Sequence, residues 1–140
     1  MVNMVRVKVK IDWCNKNWAA VTNDEQLCGM VIVTAKTYDA LIKELRDGVA
    51  DHVMTLKEEN EDVPQWLEQG DYEFEIEFGT AALIRRAEQF TTLAAISRAT
   101  GINQTLLTHY ATGLKQPREK QRSRIVDGLH RIGETFLSIR

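Results

Sequence analysis

Val5, Val7, Val9, Ile11 and Trp13 alternate with Arg6, Lys8, Lys10 and Asp12. A period of two marks a β-strand with one buried face. Asn15-Lys16-Asn17 is turn-like, and 18–22 reads as the returning strand of a hairpin. Asn23–Gly29 is a polar loop, and Met30–Thr34 forms a third, β-branched strand. From Thr37 the period lengthens, with apolar residues at 38, 41, 42, 45, 49, 53 and 56. This predicts an amphipathic helix from about Tyr38 to about Glu59, with Thr37 as N-cap and Asp39 in the first turn. Gly48 sits inside that helix at some local cost. Acidic 58–62 ends it, and the connector 63–67 can set Trp66 and Leu67 on the core. The fourth strand alternates Tyr72, Phe74, Ile76 and Phe78 with Glu73, Glu75 and Glu77.

The order is therefore β-β-β-α-β. A helix crossing over to a parallel strand does so right-handedly. Strand one is the natural partner of strand four, because Arg6, Lys8 and Lys10 would then lie beside Glu73, Glu75 and Glu77.

Beyond Ala81 every period is helical. Ala82, Leu83, Arg86, Ala87 and Phe90 outline one helix, and Thr92 can cap a second over 93–99. Thr100-Gly101-Ile102 breaks it, Asn103 can cap a third from Gln104 to about Thr112, and Gly113 closes that one. Pro117 prepares a last helix, 118–139, with Ile125, Val126, Leu129, Ile132, Phe136 and Leu137 along one face. Residues 93–113 have the helix-turn-helix pattern. Ile96 falls where the helices cross, Ser97 is small where they approach, and Gly101 admits the sharp turn. Ile102, Leu107 and Tyr110 point inward. The sequence thus predicts an α+β protein: a β-β-β-α-β domain over 1–79 and an all-α helix-turn-helix domain over 80–140.

Charge sharpens that division. The 140 residues sum to −2. Residues 1–79 hold eight Lys/Arg against sixteen Asp/Glu, a net of −8, and residues 80–140 hold ten against four, a net of +6. Such asymmetry points to nucleic-acid contact by the basic half. A 44% hydrophobic chain excludes a disordered acidic tail. Its apolar runs are too short to span a bilayer, and residues 1–13 read as a strand and not as a secretory segment. Cys14 and Cys28 read as reduced thiols of a cytoplasmic protein. His52, His109 and His130 lack companion ligands, so neither a metal nor a cofactor is expected.

By elimination, Gln104, Thr105, Thr108 and His109 project from the recognition helix. Gln can bond adenine through two hydrogen bonds, and Thr can touch a thymine methyl; His109 also fits an inert surface histidine. Thr92 and Asn103 stand at helix N-termini, where free backbone N–H groups suit phosphates and a capping role is satisfied at once. Lys115 and Arg118 are the favoured phosphate contacts among the cations after the motif, with Lys120, Arg122 and Arg124 equally explained by a solvated face. A nuclease is the competing class for the first domain, since β-β-β-α-β also opens the ribonuclease H fold. Asp12, Glu44 and Asp71 are the nearest carboxylate set, and Asp71 sits beside Gly70 as an ordinary turn residue would, so no catalysis is expected.

Together the two halves resemble the HicB antitoxins of bacterial toxin–antitoxin systems, a partial ribonuclease H-like domain followed by a Cro/cI-type helix-turn-helix. The resemblance rests on strand 5–13, helix 38–59, strand 72–78 and the motif over 93–113, with Gly113-Leu114-Lys115-Gln116-Pro117 trailing it. Thr37-Tyr38-Asp39-Ala40-Leu41 is its best local echo. The Gly/Pro-rich segment usual before the helix is reduced to Cys28-Gly29. The resemblance implies a non-enzymatic regulator that binds operator DNA as a homodimer or higher oligomer. It further implies that the acidic domain covers a small, basic, RNA-cleaving HicA-type toxin and that the chain represses its own operon. The alternative is an orphan or ligand-sensing one-component regulator without a toxin.

Overall fold

The period-two segments form strands and the longer-period segments form helices. In a computed structural model, which describes residues 4–140, β1 (Val5–Cys14) turns through Asn15 and Lys16, both at positive φ, into β2 (Asn17–Thr22). Residues 1–3 of the expected alternation lie outside the described residues. A 3-10 turn (Glu25–Leu27), β3 (Val31–Ala35), α1 (Tyr38–Glu58), the short α2 (Gln65–Glu68) and β4 (Tyr72–Phe78) complete the first unit. A second unit begins at Thr80 and contains α3 (Thr80–Glu88), α4 (Leu93–Thr100), α5 (Gln104–Thr112) and α6 (Glu119–Leu137). The class is α+β.

The sheet runs β3-β2-β1-β4, with β4 parallel to β1 and the other pairs antiparallel. Arg6 stands opposite Glu73, Lys8 opposite Glu75 and Lys10 opposite Glu77, as the charge pattern predicts. Arg6 Nε lies 3.2 Å from Glu73 Oε1. Both side chains are well exposed, so the pair adds little stability. Its effect is on register, since a slip of one residue would bring the charged row to the apolar face. On that apolar face Val7 and Ile11 are at 0% exposure, as are Leu41 and Leu45 of the crossover helix. Trp13, Trp18 and Tyr38 extend the core as an edge-to-face chain, with centroids 5.3 and 5.4 Å apart.

The polar segment 23–29 is more ordered than its composition suggests. β2 pairs with β1 only from Lys10 onward, which leaves backbone groups of residues 6 and 8 facing no strand. Side chains take the missing places. The Asp24 carboxylate accepts from Lys8 N at 2.9 Å, Gln26 Nε2 donates to Arg6 O at 3.0 Å, and Thr22 Oγ1 donates to Lys8 O at 2.9 Å. Leu27 is fully buried, and its carbonyl accepts from His52 Nε2 of α1 at 2.7 Å. His52 is thereby a structural clamp. Cys14 and Cys28 are exposed and unpaired.

Thr37 caps α1, its hydroxyl accepting from Ala40 N at 3.2 Å. Gly48 has a packing reason that the helical period hides: a Cβ there would sit 2.9 Å from Val31 Cγ1 and 3.4 Å from Val33 Cγ1 of β3. Both neighbours are β-branched and stiff. Gly→Ala in an exposed helix gains about 1 kcal/mol, but Gly48→Ala is expected to lose stability, by about 1 kcal/mol or more, because the overpacking term exceeds the propensity gain. Chemical denaturation checks the sign.

Asp24 gives this unit a pH dependence on the acid side. The hydrogen bond from Lys8 N holds its carboxyl below the ordinary 3.8, opposed by partial burial and aided by Gln26. A folded-state value below the unfolded one stabilises above pH 3.8, and that contribution is lost as pH falls through the folded value. The stability difference between the wild type and Asp24→Asn is therefore expected to shrink below that pH. Denaturation midpoints measured from neutral pH into acid give the comparison.

Candidate nucleic-acid interface

The second unit closes around Ile84, Ile96, Ile102, Leu107, Tyr110, Ala111 and Ile125. The four residues that the helix-turn-helix pattern turns inward, Ile96, Ile102, Leu107 and Tyr110, all lie in this cluster. Ile84 joins them from α3. Phe90, expected on that helix's apolar face, is instead 70% exposed beyond its end, with the Arg86 guanidinium 4.9 Å from its ring centroid.

The turn between α4 and α5 is fixed by hydrogen bonds. Thr92 caps α4, its hydroxyl accepting from Ala95 N at 3.0 Å. Gly101 ends α4 at φ 73°, a left-handed conformation that costs a Cβ-bearing residue strain. Ser97 Oγ donates to Ile102 O at 2.6 Å, so this small side chain both admits the approach and ties the turn. Thr100 Oγ1 donates to Ile96 O at 2.7 Å and accepts from Ile102 N at 3.1 Å. Asn103 then caps α5, accepting from Thr105 N at 2.7 Å.

α6 braces this pair. Gly128 is buried where α6 meets the end of α4, and a Cβ there would collide with Thr100 Cγ2. Arg124 donates to Thr100 O at 3.0 Å, and Arg131 donates to Ala99 O, so two cations meet the carbonyl end of α4. On the other flank Arg85 Nε donates to Ala111 O at 3.2 Å, near the end of α5. These three arginines hold helices in place. The sequence signal for them was weak, because a cation late in one helix does not reveal which neighbour's carbonyls it meets. Gly128 in a helix interior was the available clue.

The expected contact residues divide by exposure. Gln104, Thr105 and Thr108 are exposed along the first turns of α5. Thr108 Oγ1 donates to Gln104 O at 3.1 Å, so outward it offers a methyl group and an acceptor lone pair. His109 is half-buried, and its Nδ1 is shielded from solvent without a partner; contact with a base would run through Nε2. Thr92 and Asn103 are exposed at their helix starts. Lys115 and Arg118 are exposed in the segment between α5 and α6, and Lys120 is exposed in the first turn of α6. Arg122, by contrast, donates to Thr80 Oγ1 at 3.3 Å and, like Arg124, has an internal task. The apolar face of α6 meets the core as far as Ile132, and beyond it Phe136 and Leu137 are 59% and 86% exposed.

The carboxylates of the nuclease reading are not gathered. Asp12 follows the Ile11–Phe78 pair and Asp71 precedes the Val5–Tyr72 pair. They stand at opposite ends of the parallel strands, roughly 25 Å apart at about 3.3 Å per residue. Among the described residues no group of three His, Cys, Asp or Glu is arranged to hold a metal ion, and no helix is long and apolar enough to cross a membrane.

Comparison with protein-family models, with curated proteins and with solved structures finds no match to this chain.

The helix-turn-helix geometry depends on the α4–α6 approach. Gly128→Val is expected to destabilise the second unit by about 1–3 kcal/mol, since the collision involves a buried, hydrogen-bonded threonine and the α4 backbone. Denaturation followed by the near-ultraviolet signal of Tyr110, the tyrosine of this unit, measures it.

Proposed function

We propose that residues 80–140 read double-stranded DNA through α5 and that the chain is a sequence-specific transcriptional regulator. One observation carries the reading. Leu107, Tyr110 and Ala111 anchor α5 in the core, while Gln104, Thr105 and Thr108 stand exposed on the same helix. A helix held by one side and studded with short hydrogen-bonding side chains on the other is what the major groove accepts. The surroundings suit phosphates: two helix starts at Thr92 and Asn103, the cations Lys115 and Arg118, and a net +6 over the unit. A single helix-turn-helix reads a short half-site, so the operator reading calls for a dimer spanning half-sites about 34 Å apart.

In this reading the acidic unit engages a small basic protein. The full proposal is an antitoxin of the HicAB type, non-enzymatic and cytoplasmic, that neutralises an RNA-cleaving toxin and represses its own operon. The two units then divide the work: the −8 unit suits a cationic partner and the +6 unit suits phosphates.

Selection from a random duplex library with the full chain supplies the operator, and fluorescence anisotropy then measures binding to it. Gln104→Ala is expected to lose about 1–3 kcal/mol and to relax preference at one base pair. Lys115→Ala is expected to weaken all sequences alike and to lower the salt slope by about 1. Failure to enrich any sequence, or wild-type affinity and preference in Gln104→Ala, would reject this recognition face.

A further inference from the structure

The two edges of the sheet differ in a way that the packing of α1 explains. α1 lies over β3 and β2. Val7, Val9 and Ile11 of the interior strand β1 are completely or nearly buried, while Phe74, Ile76 and Phe78 of β4, on the same face, stay only half-buried. Between α1 and β4 a cleft of about 430 Å³ remains, floored by Phe74, Ile76 and Ile42 and rimmed by Tyr38, Arg46 and Glu73. The Arg46 guanidinium lies 5.0 Å from the Phe74 ring centroid, and Tyr72 meets the same ring edge-to-face with centroids 5.4 Å apart.

β4 is also an edge strand, with no strand beyond it among the described residues. Alternate residues of such a strand present backbone N–H and C=O groups outward. Its other face carries Glu73, Glu75 and Glu77, all exposed. Backbone donors and acceptors, an open apolar floor and a row of carboxylates thus share one strand. From these we infer that the β4 edge is the docking site for an extended segment of a basic partner protein, added to the sheet as a fifth strand. This rests on the reading of the acidic unit as partner-binding and names where the partner sits.

Charge decides the occupant. An added strand places alternate side chains over Phe74 and Ile76 and the others beside the glutamate row. The first set must be apolar and the second basic. β1, on the inner side of β4, already has this pattern in Val5-Arg6-Val7-Lys8-Val9-Lys10-Ile11 and pairs with β4 along its length. A second copy of β4 is refused, because three glutamates would face three glutamates.

The test uses the full chain, isotope-labelled, and a synthetic seven-residue peptide with the alternation of residues 5–11. Controls are the same peptide with glutamate at its three basic positions and a scrambled peptide of identical composition. The expected result is amide shift changes confined to 72–78 and 38–46, with weaker binding at high salt. Binding by the glutamate peptide is expected to be undetectable, and by the scrambled peptide at least about tenfold weaker. Glu75→Gln/Glu77→Gln is expected to weaken the basic peptide by about fivefold or more. Equal binding of the scrambled peptide, or shift changes spread over β2 and β3, would overturn the site. A basic protein that binds the acidic unit away from 72–78 would overturn this docking site and leave the partner-binding reading intact; anisotropy on the selected DNA reports separately on residues 80–140.

Discussion

The first unit depends on β1 being an interior strand. A strand with neighbours on both sides needs a hydrogen-bonding partner for nearly every backbone group. It finds an antiparallel partner by an immediate hairpin, but a parallel one only through a long connection. That requirement sets the remaining order of the chain. α1 is the crossover that returns the chain to the start of β1, so that β4 can run beside it from Val5–Tyr72 to Ile11–Phe78. The charges then choose the partner and its register. Arg6, Lys8 and Lys10 contribute little as exposed ion pairs, yet only one parallel alignment sets all three beside glutamates.

The second unit is governed by close approach and not by pairing. Ser97 is short enough to tie the turn at Ile102 O, and Gly128 is small because a Cβ there would collide with Thr100 of α4. The termini of α4 and α5 use their free backbone groups in opposite ways. At their starts, Thr92 and Asn103 satisfy one N–H each and leave others toward solvent. At their ends, Arg124, Arg131 and Arg85 take up the carbonyls from neighbouring helices. The carbonyl ends are thus met by arginines of neighbouring helices, and the N-terminal ends by their own capping side chains.

Features with local causes were legible in the sequence. The β1 and β4 alternations, the Thr37, Thr92 and Asn103 caps and the left-handed Gly101 and Gly113 each depend on a few adjacent residues, and all stand where the pattern puts them. Features with distant causes were not. Leu27 is a lone apolar residue in a polar stretch, and it is buried because β1 needed side chains from that stretch. Gly48 reads as a weak point of a helix until β3 is known to lie against it. Phe136 and Leu137 continue the apolar stripe of α6 beyond the core it packs on, a mismatch of lengths that periodicity does not report. At the candidate interface, the exposure of Gln104, Thr105 and Thr108 followed from helical phase alone, whereas the shielding of the His109 ring depends on tertiary packing.

Asp24 and Gln26 have a consequence for how this surface tolerates change. Both are polar, Asp24 half-buried and Gln26 exposed, and both lie in a connecting segment, where substitutions are ordinarily harmless. Here their side chains complete the hydrogen bonding of an interior strand, with Asp24 on Lys8 N and Gln26 on Arg6 O. Sequence drift at these positions should therefore be as constrained as at a buried valine. In a set of divergent sequences they would stand out as fixed residues on a variable loop, and would invite a functional explanation for what is a requirement of folding.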